Sequence, residues 1–170
     1  YSMKLVLATQ NPKKLKEMNE ILSHLGVEVV SEAELGVRIE VEETGETFTD
    51  NARLKATAVM QATGLPAVAD DSGLCVDALN GGPGVYSARF GGEGLDDKGR
   101  YTLLLEMLRG QTDRAAHFHT SIVCAFPNGD ELVCEGECPG TIAFAPMGEG
   151  GFGYDPVFFV PELRKTFGQL

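Results

Sequence analysis

No stretch of the 170-residue sequence is long and apolar enough to suggest a membrane span, and no signal peptide is visible. Cationic surface is also scarce. Fourteen lysines and arginines face 25 acidic residues, for a formal net charge of -11, and the densest basic cluster is Lys13, Lys14 and Lys16. Such a chain is repelled by a nucleic-acid backbone, so neither nucleic acid nor membrane is expected as a partner. An anionic substrate then needs a focused local site, with a metal to offset the global field. The four cysteines, Cys75, Cys124, Cys134 and Cys138, lack paired C-x-x-C spacing. They read as small buried hydrophobes of a reduced, cytoplasmic protein. The Walker glycine pattern and G-x-S-x-G are both missing, which argues against a P-loop and against that type of serine nucleophile. No internal repeat or low-complexity segment is found. Tyr1-Ser2 ahead of Met3 read as a tag remnant, and the length fits one domain over residues 1–170.

What is present alternates strand and helix signals. Lys4–Ala8 reads as a buried strand, followed by a turn and a helix from about Lys13. Leu15, Met18, Leu22 and Leu25 lie at helical spacing before Gly26. Val27–Val30 reads as a second strand. Thr47 is the expected cap of a helix that runs through Lys55 to Thr63 and stops at Gly64. Pro66–Ala69 then gives a short strand ending at Asp70-Asp71. Residues 80–94 form a glycine-rich loop carrying Tyr86, Arg89 and Phe90, and a third helix starts at Asp96 or Asp97. Ala115–Phe126 and Glu131–Cys138 read as a hairpin turning at Pro127-Asn128-Gly129-Asp130. Val157–Val160 is the last clear strand. Helices alternating with strands, together with a hairpin, predict a layered α/β fold on a mixed sheet.

Five groups of residues can carry chemistry. Thr9-Gln10-Asn11-Pro12-Lys13-Lys14 joins a strand to a helix N-terminus, where free N–H groups and a lysine attract phosphate; the alternative is a turn with a solvated lysine pair. Glu42, Glu43, Asp70 and Asp71 supply oxygen ligands of the kind Mg²⁺ takes, and one carboxylate can deprotonate water; the alternative is a solvated acidic turn. Gly73 permits a sharp turn there, and Ser72 can donate to a phosphate. Lys55 and Arg89 are phosphate partners or ordinary surface cations. Phe152, Gly153, Tyr154 and Asp155 can stack on and hydrogen-bond a base, or be core aromatics entering a strand. His117 and His119 share a strand face, and a pair at that spacing can bind metal, but no third ligand is evident and Val123 and Ala125 occupy the same face, so metal is not expected there.

In order along the chain, Thr9-x-Asn11-x-x-Lys14, Glu43-Thr44-Gly45-x-Thr47-Phe48-x-x-Asn51-Ala52, Lys55-Ala56, Ala69-Asp70-Asp71-Ser72-Gly73-Leu74, Gly84-Val85-Tyr86-Ser87-Ala88-Arg89 and Gly151-Phe152-Gly153-Tyr154-Asp155-Pro156 resemble the inosine triphosphate pyrophosphatase family. The resemblance implies an elongated mixed sheet flanked by helices, with two lobes and an active-site cleft. It implies a Mg²⁺-dependent homodimer that hydrolyses ITP, dITP and XTP to the monophosphate and pyrophosphate. By the same resemblance, residues 9–14 and Lys55 hold the triphosphate. Glu43 and Asp71 hold Mg²⁺ with Asp70 close by, and Asp71 accepts the proton of the attacking water. Ser72 contacts substrate, and residues 152–155 line the base pocket. The 170 residues include no Ser-His-Arg segment, which members of that family carry beyond this point as a nucleotide contact. Two alternatives follow: a septum-formation-inhibitor-like pyrophosphatase with other base preferences, and a nucleotide-binding module without catalysis.

Overall fold

The computed structural model describes residues 3–8, 12–37, 39, 41, 44–92, 94–151 and 153–170, without the side chains of residues 3 and 12–14. Eight strands form one mixed sheet flanked by helices: β1 (Met3–Leu7), β2 (Val27–Ser31), β3 (Ala67–Val76), β4 (Gly82–Pro83), β5 (Ala115–Ala125), β6 (Glu131–Ile142), β7 (Phe158–Val160) and β8 (Lys165–Thr166). Their order is β2-β1-β3-β5-β6-β7-β8, with β4 paired to β3. β1 runs parallel to β2 and β3, whereas the β3–β4, β6–β7 and β7–β8 pairs are antiparallel. The chain forms two compact units, residues 1–71 with 120–135 and residues 72–119 with 136–170.

In the first unit, strand alternation decides which helix covers which face. Leu5, Leu7 and Val68 point one way and pack against Leu15, Met18 and Leu22 of α1 (Pro12–Ser23). Val6, Ala8, Ala67, Ala69, Val123 and Ala125 point the other way and meet Ala52, Ala56 and Val59 of α2 (Phe48–Thr63). The alanines of α2 carry no bulk beyond a methyl group, so this helix can lie close on the sheet. Its start is set by Thr47, whose hydroxyl accepts from the Asp50 N–H at 3.1 Å, and its end by Gly64 at φ 71°. α1 stops at Ser23, so Leu25 falls outside the helical stripe expected for it and is 72% exposed.

In the second unit, Leu104 of α3 (Asp97–Met107) and Leu108 just beyond it pack with Leu74, Val76, Ile142, Val157 and Phe158. The Asp96 carboxylate caps α3 by accepting from the Gly99 N–H at 2.7 Å. Phe118, Phe158 and Phe167 form a ring cluster with centroids 4.6 to 5.6 Å apart. The guanidinium of buried Arg114 donates to the carbonyls of Leu108, Ile142 and Ala143, tying the end of α3 to the end of β6.

Further expectations need correction. β3 does not end at Asp70-Asp71 but continues through Ser72 and Gly73 to Val76. Gly73 is therefore extended rather than turning, because the later part of β3 gains a partner at Cys75–Pro83 and Val76–Gly82. Residues 80–94 are not all loop: they include β4 and a 3₁₀ segment, Gly84–Arg89. β6 runs on to Ile142, where it pairs with β7, and β7 is followed by β8 and a 3₁₀ turn at Phe167–Gln169.

Candidate active site

The first unit carries the acidic and basic residues. Lys55 points from α2 toward the sheet, and its ammonium donates to the Asp70 carbonyl at 2.7 Å. The close packing of Ala52 and Ala56 brings that lysine to β3. Alternation along β3 puts Asp71 on the α2 side with Ala67 and Ala69, and Asp70 on the side of Val68 and α1. The two adjacent aspartates thus face opposite ways, and Asp71 is the one that shares a face with the lysine-bearing helix. The Oδ2 atom of Asp71 is shielded from solvent. A carboxylate oxygen held there suits a hard divalent cation, which takes oxygen ligands. Asp70 is half-buried.

Glu43 lies outside the described residues, but the chain two residues later is fixed. The Gly45 N–H donates to the Asn51 side-chain oxygen at 2.8 Å, and Asn51 is fully buried on α2. A Cβ on Gly45 would stand 2.6 Å from the Asp50 Cβ, so only glycine lets the chain pass this close to the helix at that point. Asn51 stands in the sequence motif without an assigned role; its position four residues ahead of Lys55 is the one signal for this anchoring. Thr9, Gln10 and Asn11 also fall outside the described residues. Pro12, Lys13 and Lys14 occupy the first turn of α1, with proline at the position where its missing N–H costs least.

The second unit carries the other candidates. Ser72 is exposed on β3. Arg89 is exposed at the end of the 3₁₀ segment, with its guanidinium 5.2 Å from the centre of the Tyr86 ring. Ser87, in the same segment, is buried and receives the Leu74 N–H at 2.9 Å, locking the segment to β3. Tyr154 is buried in the core, and its hydroxyl donates to the Ser87 carbonyl at 2.6 Å. Burial, reinforced by Asp97 and opposed by Arg100, pushes its phenol up to about 12. The structure therefore places Tyr154 as a core aromatic that ties the chain around it, residues 153–155, to the 3₁₀ segment Gly84–Arg89. Phe152 lies outside the described residues.

Gly153 is half-buried, and its N–H donates to the Asp97 carboxylate of α3 at 2.9 Å. Asp155 is half-buried, and its carboxylate packs directly over Gly151, where a Cβ would collide with it. The glycine-rich loop just before them, residues 147–151, is held by the C-terminal segment. The Thr166 hydroxyl donates to the Met147 carbonyl at 2.6 Å, and the Gly150 N–H donates to the Gly168 carbonyl at 2.8 Å. A Cβ on Gly148 would stand 2.3 Å from the Gly168 carbonyl, and one on Gly168 would stand 2.9 Å from the Met147 carbonyl oxygen and from the Pro156 Cα. Sequence reasoning missed Asp97, Thr166 and Gly168 as supports of this loop, since each acts across a long separation in the chain.

The chain is 54% identical over 170 residues to the dITP/XTP pyrophosphatase of Desulforamulus reducens, covering 99% of this chain and 85% of that protein. It is 50% identical over 168 residues to the dITP/XTP pyrophosphatase of an Exiguobacterium species, covering 99% and 86%. Among solved structures, the HAM1 protein of Coxiella burnetii superposes with a TM-score of 0.93 at 44% identity, over 99% of this chain and 87% of that one. The Staphylococcus aureus Ham1 protein gives 0.90 at 43% identity, over 98% and 86%. The Ham1 family model matches residues 5–170, and the chain belongs to the Ham1 family.

Proposed function

We infer that this protein hydrolyses deaminated purine nucleoside triphosphates (ITP, dITP and XTP) to the monophosphate and pyrophosphate, removing them from the nucleotide pool. The observation that carries this reading is the match, at half identity and over nearly the whole chain, to proteins named dITP/XTP pyrophosphatase. The placement of Lys55 and Asp71 on one face of β3 supports it.

In this reading Asp71 orients the attacking water and takes its proton as the water adds to the α-phosphorus. Lys55 and Lys14 offset the charge of the departing pyrophosphate, with Thr9 to Lys13 cradling the triphosphate at the start of α1. Glu43, Asp71 and Asp70 are the residues that would hold Mg²⁺, which when bound neutralises phosphate charge and polarises the phosphoryl group. The carboxylates fit such an ion in donor chemistry. Ser72 and Arg89 serve as further substrate contacts. Phe152, Gly153 and Asp155 recognise the base, while Tyr154 holds their loop in shape. A site that pairs the purine 6-oxo oxygen leaves polar groups unmatched against the 6-amino group of ATP. We place the enzyme in the cytoplasm as a homodimer; no helix among the described residues is long and apolar enough to cross a membrane.

The test compares ITP, XTP, ATP, dTTP and UTP, each with and without Mg²⁺, measuring pyrophosphate against orthophosphate. Mg²⁺-dependent release of pyrophosphate from ITP and XTP is expected. Equal turnover of ATP would overturn the base selectivity, preference for dTTP or UTP would favour the septum-formation-inhibitor-like reading, and orthophosphate alone would overturn the reaction.

A further inference from the structure

In the sequence, the His117–His119 pair lacks an evident third metal ligand. The fold supplies one. β5 and β6 are neighbours in the sheet, and Glu137 of β6 comes to lie beside both imidazoles. The Glu137 carboxylate oxygen Oε1 is 3.1 Å from His119 Nδ1 and 3.9 Å from His117 Nε2. One ligand atom from each of the three residues lies within 4.8 Å of the other two.

We propose that His117, His119 and Glu137 form a binding site for a transition-metal ion of the Zn²⁺ class. Nitrogen and carboxylate ligands at about 2.0–2.1 Å around a tetrahedral ion stand roughly 3.4 Å apart, which falls between the two distances to Glu137. Two imidazoles and one carboxylate are a donor set that suits Zn²⁺, Co²⁺ or Ni²⁺. Mg²⁺ takes oxygen ligands, so two ring nitrogens discriminate against it. This separates the site chemically from the carboxylates assigned to catalysis. The three ligands come from two neighbouring, hydrogen-bonded strands of one sheet, which holds their backbones in place. The imidazole side chains are 33% and 19% exposed and the carboxylate is 58% exposed, which leaves a side open for water to complete the coordination. Val123 and Ala125, whose shared face argued against a site, belong to the core of the first unit, whereas the histidines lie on the part of β5 in the second.

The experiment titrates the full chain with Co²⁺ in a large excess of Mg²⁺, following visible d–d absorption and bound metal after dialysis. One equivalent of Co²⁺ that resists Mg²⁺ is expected. His117→Ala and Glu137→Gln are each expected to weaken binding by roughly tenfold or more, with far-UV circular dichroism unchanged, and His24→Ala to leave it intact. Proton NMR of the unaltered chain gives a reading that needs no variant: Zn²⁺ should shift the ring signals of two of the three histidines. No Mg²⁺-resistant equivalent, unchanged binding in His117→Ala, or loss on Cys75→Ser with retention in His117→Ala would each overturn the site.

Discussion

At the scale of single residues, Asp70 and Asp71 are neighbours in sequence and opposites in space. A strand turns successive side chains to opposite faces, so one of the pair must share its face with α2 and the other with α1. Asp71 shares the α2 face, where Lys55 descends to the Asp70 carbonyl. This geometry predicts separable kinetic effects. Asp71→Asn removes the proposed proton acceptor and is expected to lower kcat by roughly 10²–10⁴-fold. Lys55→Met removes a charge that we propose meets the phosphates in both ground and transition states, so KM for the triphosphate is expected to rise as kcat falls. Steady-state kinetics with ITP, together with nucleotide binding by calorimetry, distinguishes them: the Asp71 variant still binds nucleotide and the Lys55 variant binds it weakly. An Asp71→Asn enzyme with near-normal kcat would remove Asp71 from the base role.

At the scale of elements, helices were more legible than strand ends. Thr47 and Gly64 bracket α2 because each acts within four residues of the helix it terminates, so the signal is local. Asp96 does the same for α3. Replacing Thr47 by Ala removes the acceptor for the Asp50 N–H and is expected to cost about 1 kcal/mol in urea unfolding. Because this cap follows Gly45 and Glu43 by a few residues, the same variant is expected to need more Mg²⁺ for half-maximal rate. A wild-type unfolding midpoint in Thr47→Ala would show that the bond contributes nothing. Strand ends depend on partners far along the chain. The run Asp70-Asp71-Ser72-Gly73 resembles a turn locally, yet pairing of Cys75 with Pro83 keeps it extended. β8 is two residues long and exists only through its pairing with β7. The third ligand beside His117 and His119 was hidden for the same reason: Glu137 meets them only once β5 and β6 are in register. The candidate catalytic residues were named from their ordered motifs, whereas Asp97, Thr166 and Gly168 act through long-range contacts that spacing does not reveal.

At the scale of the whole molecule, an acidic chain binding an anionic substrate depends on local positive groups, and its stability against alkali depends on the phenol it buries. Tyr154 is 6% exposed, with its hydroxyl donating to Ser87 and its phenol held at about 12. In the unfolded chain that phenol ionises near its ordinary value of about 10. Below about pH 10 both states keep the proton, and the stabilisation is fully present. Between about pH 10 and 12 the unfolded state releases a proton that the folded state retains, so stability falls as pH rises. The gap between those two values corresponds to about 2–3 kcal/mol, lost progressively across that window. Tyr154→Phe should lose about 1 kcal/mol at neutral pH, because the Ser87 carbonyl loses its donor, but should show a flatter decline above about pH 10. Urea midpoints measured at about pH 8, 10 and 11.5 for both proteins check this. Parallel declines in the two would assign the alkaline loss to other groups and leave Tyr154 a packing role alone.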